Sequence, residues 1–422
     1  MADKKDVNEK EHTYKGCYGE CVGYSELDMF LSDAFEMNRR AEECGSDEKF
    51  AICIWGHAGV GKTAKIKQYC RRPVVWNNTK YDGYSVFDVP LAQFEEMGDL
   101  HGMPSRHVKV VKKNCEMWVP EEVVEGYFKD GWELVYSAGV QTMYAPPYWV
   151  PHEPGPSILL LDDWNRASIR IIKGIMQLLQ NYGMVSWKLP PGCNIVLTAN
   201  PDEQDYLVTS IDNAILTRIR SVTLKEDAKE WSVWAQTEGL DPRGINFVLQ
   251  YPEMMIGPER TNPRTLAQFF RDLKMIPDIR SETNQRRFLM LAKSLLDEQT
   301  ISSLMVFIER DVEMVIEPEQ ILAGKDWDFI EKHMEKLMSG REKRIDVIGV
   351  ICDRLYAYIV QHTTKPDKKS IENFQRFICM DTIPEDIRHN LCLRLARVKD
   401  NGKTHQWLLH NEKLTKLIMA VL

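Results

Sequence analysis

The chain has 422 residues, is 44% hydrophobic and 27% charged, and carries a formal net charge of -8 at pH 7. That length points to more than one folded domain, and the composition is that of an ordinary globular protein. The negative balance argues against a generally basic nucleic-acid coat, and the lack of any run of about 18 apolar residues argues against a membrane span.

The opening stretch, MADKKDVNEKEH, is charged and has no apolar core. Residues 1–20 therefore read as a flexible tail and not as a secretory signal. Ten cysteines are scattered along the chain. Cys17 and Cys21 have no second Cys or His pair at zinc-ligand spacing, so free thiols in a reducing compartment, the cytoplasm, are expected. From Lys49 the sequence KFAICIWGHAGVGKTAKIKQYC passes from an apolar run at 50–55 through a Gly-rich turn into a helical pattern, which reads as strand, loop, helix. A second strand is predicted at 74–76. Residues 93–151, rich in Gly, Pro and aromatics, read as an irregular insertion with a hairpin or short helices.

Further buried parallel strands are predicted at 157–161 and 194–197, with another at 220–224 and a helix over 169–179. Strands alternating with helices imply a parallel sheet covered by helices on both faces. Beyond Lys225 the strand signals stop and helical patterns run to Leu422, which predicts a small helical domain over 225–280 and a helical extension over 281–422. The apolar stretch 345–360 fits a helix buried on most sides, a core element first and an interface second.

Residues Gly56-His57-Ala58-Gly59-Val60-Gly61-Lys62-Thr63 fit G-x-x-x-x-G-K-[ST]. The glycines let the backbone wrap so that its N–H groups face phosphate oxygens, and the following helix adds its positive end. Lys62 suits the β and γ phosphates, and the Thr63 hydroxyl suits Mg²⁺; with Ala64 these residues are the predicted ATP-binding set. His57 occupies a variable position and is expected to be exposed and without a catalytic role. Such a loop needs an acid for the metal and a carboxylate for the attacking water. The run Leu159-Leu160-Leu161-Asp162-Asp163 offers both: Asp162 for the metal and Asp163 for water. Asn200, in Thr198-Ala199-Asn200-Pro201, ends the next strand and suits a polar sensor that positions the water.

The order GHAGVGKT, ILLLDDWNRA, TANP, IDNAILTRIRS and NPRTL resembles the MoxR-like, dynein-related branch of AAA+ ATPases over about residues 20–275. Asn165-Arg166-Ala167 looks like that branch's Asn-Arg-Ala element, and Asp99-Leu100-His101-Gly102 like its upstream loop. The resemblance implies an α/β P-loop NTPase (AAA+) domain over 21–224, a helical lid over 225–280, and a ring, in such families often a hexamer. It implies that Arg218 is an arginine finger for a neighbouring subunit's ATP site, with Arg220 the weaker candidate, and that Arg264 is a lid sensor of the γ phosphate. It also implies a partner protein to remodel or mature, of the kind that carries a von Willebrand A domain. The family usually has Glu where this chain has Asp163, a side chain one methylene shorter; slow hydrolysis is expected, with an ATP-gated scaffold as the alternative and a nucleic-acid motor as a further one. Within the insertion, Arg106, His107, Lys109, Lys112 and Lys113 beside Trp118 suit a solvated hairpin, or a grip on an acidic partner or a phosphate backbone. The aromatic run 144–149 reads as packing near the acidic strand or as a binding loop.

Overall fold

The computed structural model describes residues 18–46, 48–113, 115–201, 213–276, 278–279, 281–310, 315–339, 343–362, 366–398, 406–409 and 414. Residues 1–17, with Cys17 and most of the stretch read as a tail, and Ile211-Asp212 of IDNAILTRIRS lie outside them. Among the described residues no helix is long and apolar enough to cross a membrane. The chain divides into two compact units, residues 1–225 and 226–422.

The first unit opens with β1 (Glu20–Val22), α1 (Tyr24–Glu43), β2 (Ala51–Trp55), α2 (Lys62–Cys70), β3 (Val74–Trp76), β4 (Thr79–Tyr81) and β5 (Ser85–Pro90). It continues with α3 (Met97–His101), β6 (Met103–Lys112), β7 (Cys115–Pro120), α4 (Val124–Lys129), β8 (Glu133–Leu134) and β9 (Val140–Ala145). It closes with β10 (Ser157–Asp162), α5 (Ile169–Asn181), β11 (Cys193–Ala199), α6 (Asn213–Leu216) and β12 (Ile219–Leu224). The main sheet has the order β1-β12-β2-β11-β10-β5 and every pairing in it is parallel.

Strand alternation explains the layering. Ile52 and Ile54 face a core with Leu27, Leu31 and Phe35 of α1 and Ile66 and Tyr69 of α2. Ala51, Cys53 and Trp55 face the opposite core with Ile171, Ile175 and Leu178 of α5. Both faces being covered, the central strands are apolar throughout, which is why they stand out in the sequence. This parallel sheet between helices, with a glycine-rich loop leaving the carboxyl end of a central strand, is an α/β P-loop NTPase fold.

Two predicted features sit differently. The strand at 74–76 is present, but it pairs antiparallel with β4 in a small hairpin; the main sheet's edge beside β10 is β5. The segment 93–151 is more regular than predicted, with β6 at the centre of a small antiparallel sheet between β7 on one side and β8 and β9 on the other. Val108, Val110 and Val119 make its own small core.

The second unit is helical among its described residues: α7 (Ala228–Thr237), α8 (Pro242–Gln250), α9 (Pro263–Leu273), α10 (Glu282–Leu295), α11 (Glu298–Arg310), α12 (Pro318–Ala323), α13 (Trp327–Ser339), α14 (Ile345–Gln361), α15 (Lys368–Ile378), α16 (Glu385–Arg397) and α17 (Gln406–Leu409). One core gathers Trp231, Phe247, Phe270, Phe288 and Phe307, residues from both sides of position 280. A second gathers Ile330, Ile351, Leu355, Phe374 and Leu391. The buried helix predicted over 345–360 is α14, at the centre of that second core.

Candidate active site

The phosphate-type loop is held in a backbone shape that side chains oppose. Gly59 and Gly61 have φ of +84° and +96°, which glycine adopts at little cost. At Gly56 a Cβ would lie 2.7 Å from the Leu224 carbonyl oxygen. The Tyr24 hydroxyl donates to the Val60 carbonyl at 2.6 Å, tying the loop to the start of α1. Gly61 caps α2, whose first residue is Lys62. His57 is half-buried, less open than its variable position suggested.

Three strand ends converge here because β2, β11 and β10 are neighbours. Lys62 opens α2 just after the loop that follows β2, Asn200 follows β11, and Asp162 and Asp163 stand at the end of β10. Lys62 is buried; its Nζ donates to the Gly56 carbonyl at 2.7 Å, the His57 carbonyl at 3.1 Å and Asn200 Oδ1 at 3.0 Å. Asn200 Nδ2 in turn donates to Asp163 Oδ1 at 2.9 Å. One carboxamide thus bridges the cation and the second carboxylate, its oxygen toward the ammonium and its nitrogen toward the acid.

A second set of bonds lies beside it. Asp162 Oδ1 accepts from the Thr63 hydroxyl at 2.6 Å and from the Thr198 hydroxyl at 2.6 Å. Thr198 Oγ1 also accepts the Asp163 backbone N–H at 2.9 Å, so one buried threonine sets the first acid's oxygen and the second acid's backbone. Asp163 has a left-handed backbone, φ +48°, which aspartate tolerates better than most side chains. Arg166 Nε lies 3.9 Å from its Oδ2. Asn165, the first residue of the Asn-Arg-Ala element, is buried and bonds to the backbone of Asn200 on both sides: Nδ2 donates to its carbonyl at 2.8 Å and Oδ1 accepts its N–H at 3.2 Å.

Lys62, Thr63, Asp162, Asp163 and Asn200 are therefore brought together. Arg218 is not among them: it is half-buried, with Nε donating to Gln180 Oε1 at 3.2 Å and its guanidinium bonded to the Ala214 carbonyl. Arg220 lies over the Phe50 ring, 3.4 Å from its centroid. Arg264 belongs to the second unit, exposed in the first turn of α9 behind an Asn262 cap.

The remaining motifs lie outside this cluster. Asp99 and His101 accept at their carbonyls from the Trp149 and Trp187 indoles, at 3.1 and 3.0 Å. A Cβ at Gly102 would overlap the Ala145 carbonyl. Within 144–149, Trp149 is buried in the core around β10 while Tyr148 is exposed. Of the basic cluster, Arg106 pairs with Glu121, Lys109 with Glu116, and Lys112 donates to the Asp130 carbonyl, which weakens any net positive face.

No protein-family profile matches the chain, and no curated protein matches it. Among solved structures, a chain described as a mutant of Thermotoga maritima RuvB aligns with 78% of this chain and 88% of its own, at 12% identity and a TM-score of 0.33. So remote a likeness says nothing of a site or an activity, and the P-loop NTPase fold stands on this chain's own sheet and loop geometry.

Proposed function

We propose that this protein is an AAA+-type ATPase that binds Mg-ATP at residues 56–64 and hydrolyses it to remodel or mature a partner protein. The observation that carries the reading is the Asn200 carboxamide held between Lys62 and Asp163, beside the hydrogen-bonded pair Thr63 and Asp162. Lys62 neutralises phosphate charge, Asp163 accepts the proton of the attacking water, and Asn200 orients that water. The Thr63 hydroxyl and Asp162 carboxylate are hard oxygen donors at hydrogen-bond distance, a set that fits Mg²⁺. The ion, when bound, neutralises charge on the β and γ phosphate oxygens.

The motif order supports placement near the MoxR-like branch, and with it three further parts of the proposal: a ring of subunits, Arg218 acting on the neighbour's nucleotide, and Arg264 sensing the γ phosphate. A second reading, an ATP-gated scaffold with little turnover, is favoured by Asp163 itself, a short carboxylate already engaged by Asn200.

Steady-state ATP hydrolysis with Mg²⁺ across protein concentration separates the two. The ATPase reading expects turnover that rises with concentration and disappears in Lys62→Ala and Arg218→Ala. ATP binding without turnover at every concentration, with turnover appearing in Asp163→Glu, would establish the scaffold instead.

A further inference from the structure

We infer that Asn165 is a positioning residue for hydrolysis, acting through the backbone of Asn200; the inference rests on the ATPase reading and deepens it. β11 ends at Ala199, whose register partner is Trp55 on β2. Asn200 lies one residue beyond, where its peptide groups have passed the end of the ladder and are buried. Buried backbone donors and acceptors need partners. A primary carboxamide presents the same N–H and C=O pair as a peptide group. Asn165 supplies both, donating to the Asn200 carbonyl and accepting the Asn200 N–H, so it extends the sheet by one residue with a side chain in place of a strand.

That placement matters because Asn200 points its own carboxamide at two groups at once, Lys62 and Asp163. With its backbone held on both sides, only side-chain torsions remain to set the bridge. Asn165 is 1% exposed and sits on the short turn that follows Asp163. The second acid and the residue that clamps its partner therefore move as one piece. Release of the clamp lets Asn200 drift, and a displacement of about 1 Å at such a site costs about 100-fold in rate.

The test uses the full chain and the variants Asn165→Ala, Asn165→Asp, Asn200→Ala and Asn165→Ala/Asn200→Ala. Asn165→Asp keeps the shape and the acceptor but lacks the donor. Asn165→Ala is expected to lower kcat about 10- to 100-fold with little change in the KM for ATP. Asn165→Asp should retain an intermediate kcat, and the double variant should be no slower than Asn200→Ala alone. A wild-type kcat in Asn165→Ala, or an equal loss in the Asn200→Ala background, overturns the inference. Selective ¹⁵N-asparagine labelling gives a readout independent of turnover: the Asn200 side-chain amide resonances should shift in Asn165→Ala and Asn165→Asp, and unchanged resonances overturn it. An inert wild type would sink the ATPase reading, while the resonances would still decide whether Asn165 sets Asn200.

Discussion

Thr198 is the residue on which the two acids depend together. Its hydroxyl donates to Asp162 and accepts from the Asp163 amide, and it is fully buried. Thr198→Val keeps the shape and removes both bonds, leaving the Asp163 N–H without this acceptor; the expected loss of stability is about 1–3 kcal/mol. Turnover should fall as well, since the backbone that aims Asp163 is released. Urea unfolding and ATPase assays on the same preparation check both, and an unchanged midpoint with full turnover would show that water replaces the hydroxyl. Gly56 makes a sterically sharper case. The Leu224 carbonyl stands 2.7 Å from where a Cβ would lie, so Gly56→Ala must displace backbone. ATP affinity, measured by titration with a fluorescent nucleotide analogue, should drop at least about 10-fold through lost preorganisation; unaltered affinity would mean that the loop relaxes freely. The identities of Lys62, Thr63, Asp162, Asp163 and Asn200 as one cluster were legible, because loop spacing and strand ends place those residue types on neighbouring strands. Asn165 and Thr198 stand inside sequence motifs as well, but their contacts were not legible, since which backbone groups and carboxylate they touch is encoded by no spacing rule.

At the scale of elements, Asp297 decides how the segment before α9 is held. It lies between α10 and α11, accepts the N–H groups of Arg260 and Thr261 at 3.1 and 3.0 Å, and donates its own N–H to the Thr261 hydroxyl at 2.9 Å. Burial alone would raise its carboxyl, but the bonds donated by Thr261 and by the Arg260 amide outweigh that and hold it below the ordinary aspartate range. A depressed carboxylate contributes stability above its unfolded value, about pH 4, and loses it as pH falls through the folded value. Asp297→Asn should therefore be less stable than wild type at pH 7 by about 1–3 kcal/mol, with the gap narrowing below about pH 4. Denaturant midpoints at pH 7 and pH 3 read this directly; a gap that stays constant would show that the charge is irrelevant. Element type was easy to read wherever a strand is buried on both faces, as at β2, β10 and β11, whose apolar runs are uninterrupted. β5 escaped notice because it is an edge strand, exposed or half-exposed apart from Val89 and ending on Pro90. The sheet of β6 to β9 escaped because, Val108, Val110 and Val119 aside, its strands are largely exposed or half-exposed, so its residues alternate too weakly to be told from loop.

For the whole molecule, the open matter is whether one chain completes its own site. Within the first unit Arg218 bonds to Gln180 and Ala214 and takes no part in the cluster of Lys62, Asp163 and Asn200. An arginine with that placement contributes to hydrolysis only if it reaches another copy's nucleotide, in a head-to-tail interface that closes into a ring. Complementation tests this without knowing the partner protein. Lys62→Ala removes the phosphate lysine but leaves Arg218; Arg218→Ala does the reverse. Alone, each should be inactive. Mixed one to one with exchange of subunits, a site with Lys62 meets a neighbour with Arg218 at random, so turnover should rise to about a quarter of wild type if sites work independently. A mixture as inactive as its components, under conditions where subunits are shown to exchange, would remove Arg218 from the neighbour's site. Activity in Arg218→Ala alone would go further, because the site would then be complete within one chain and assembly would have to serve some purpose other than finishing it.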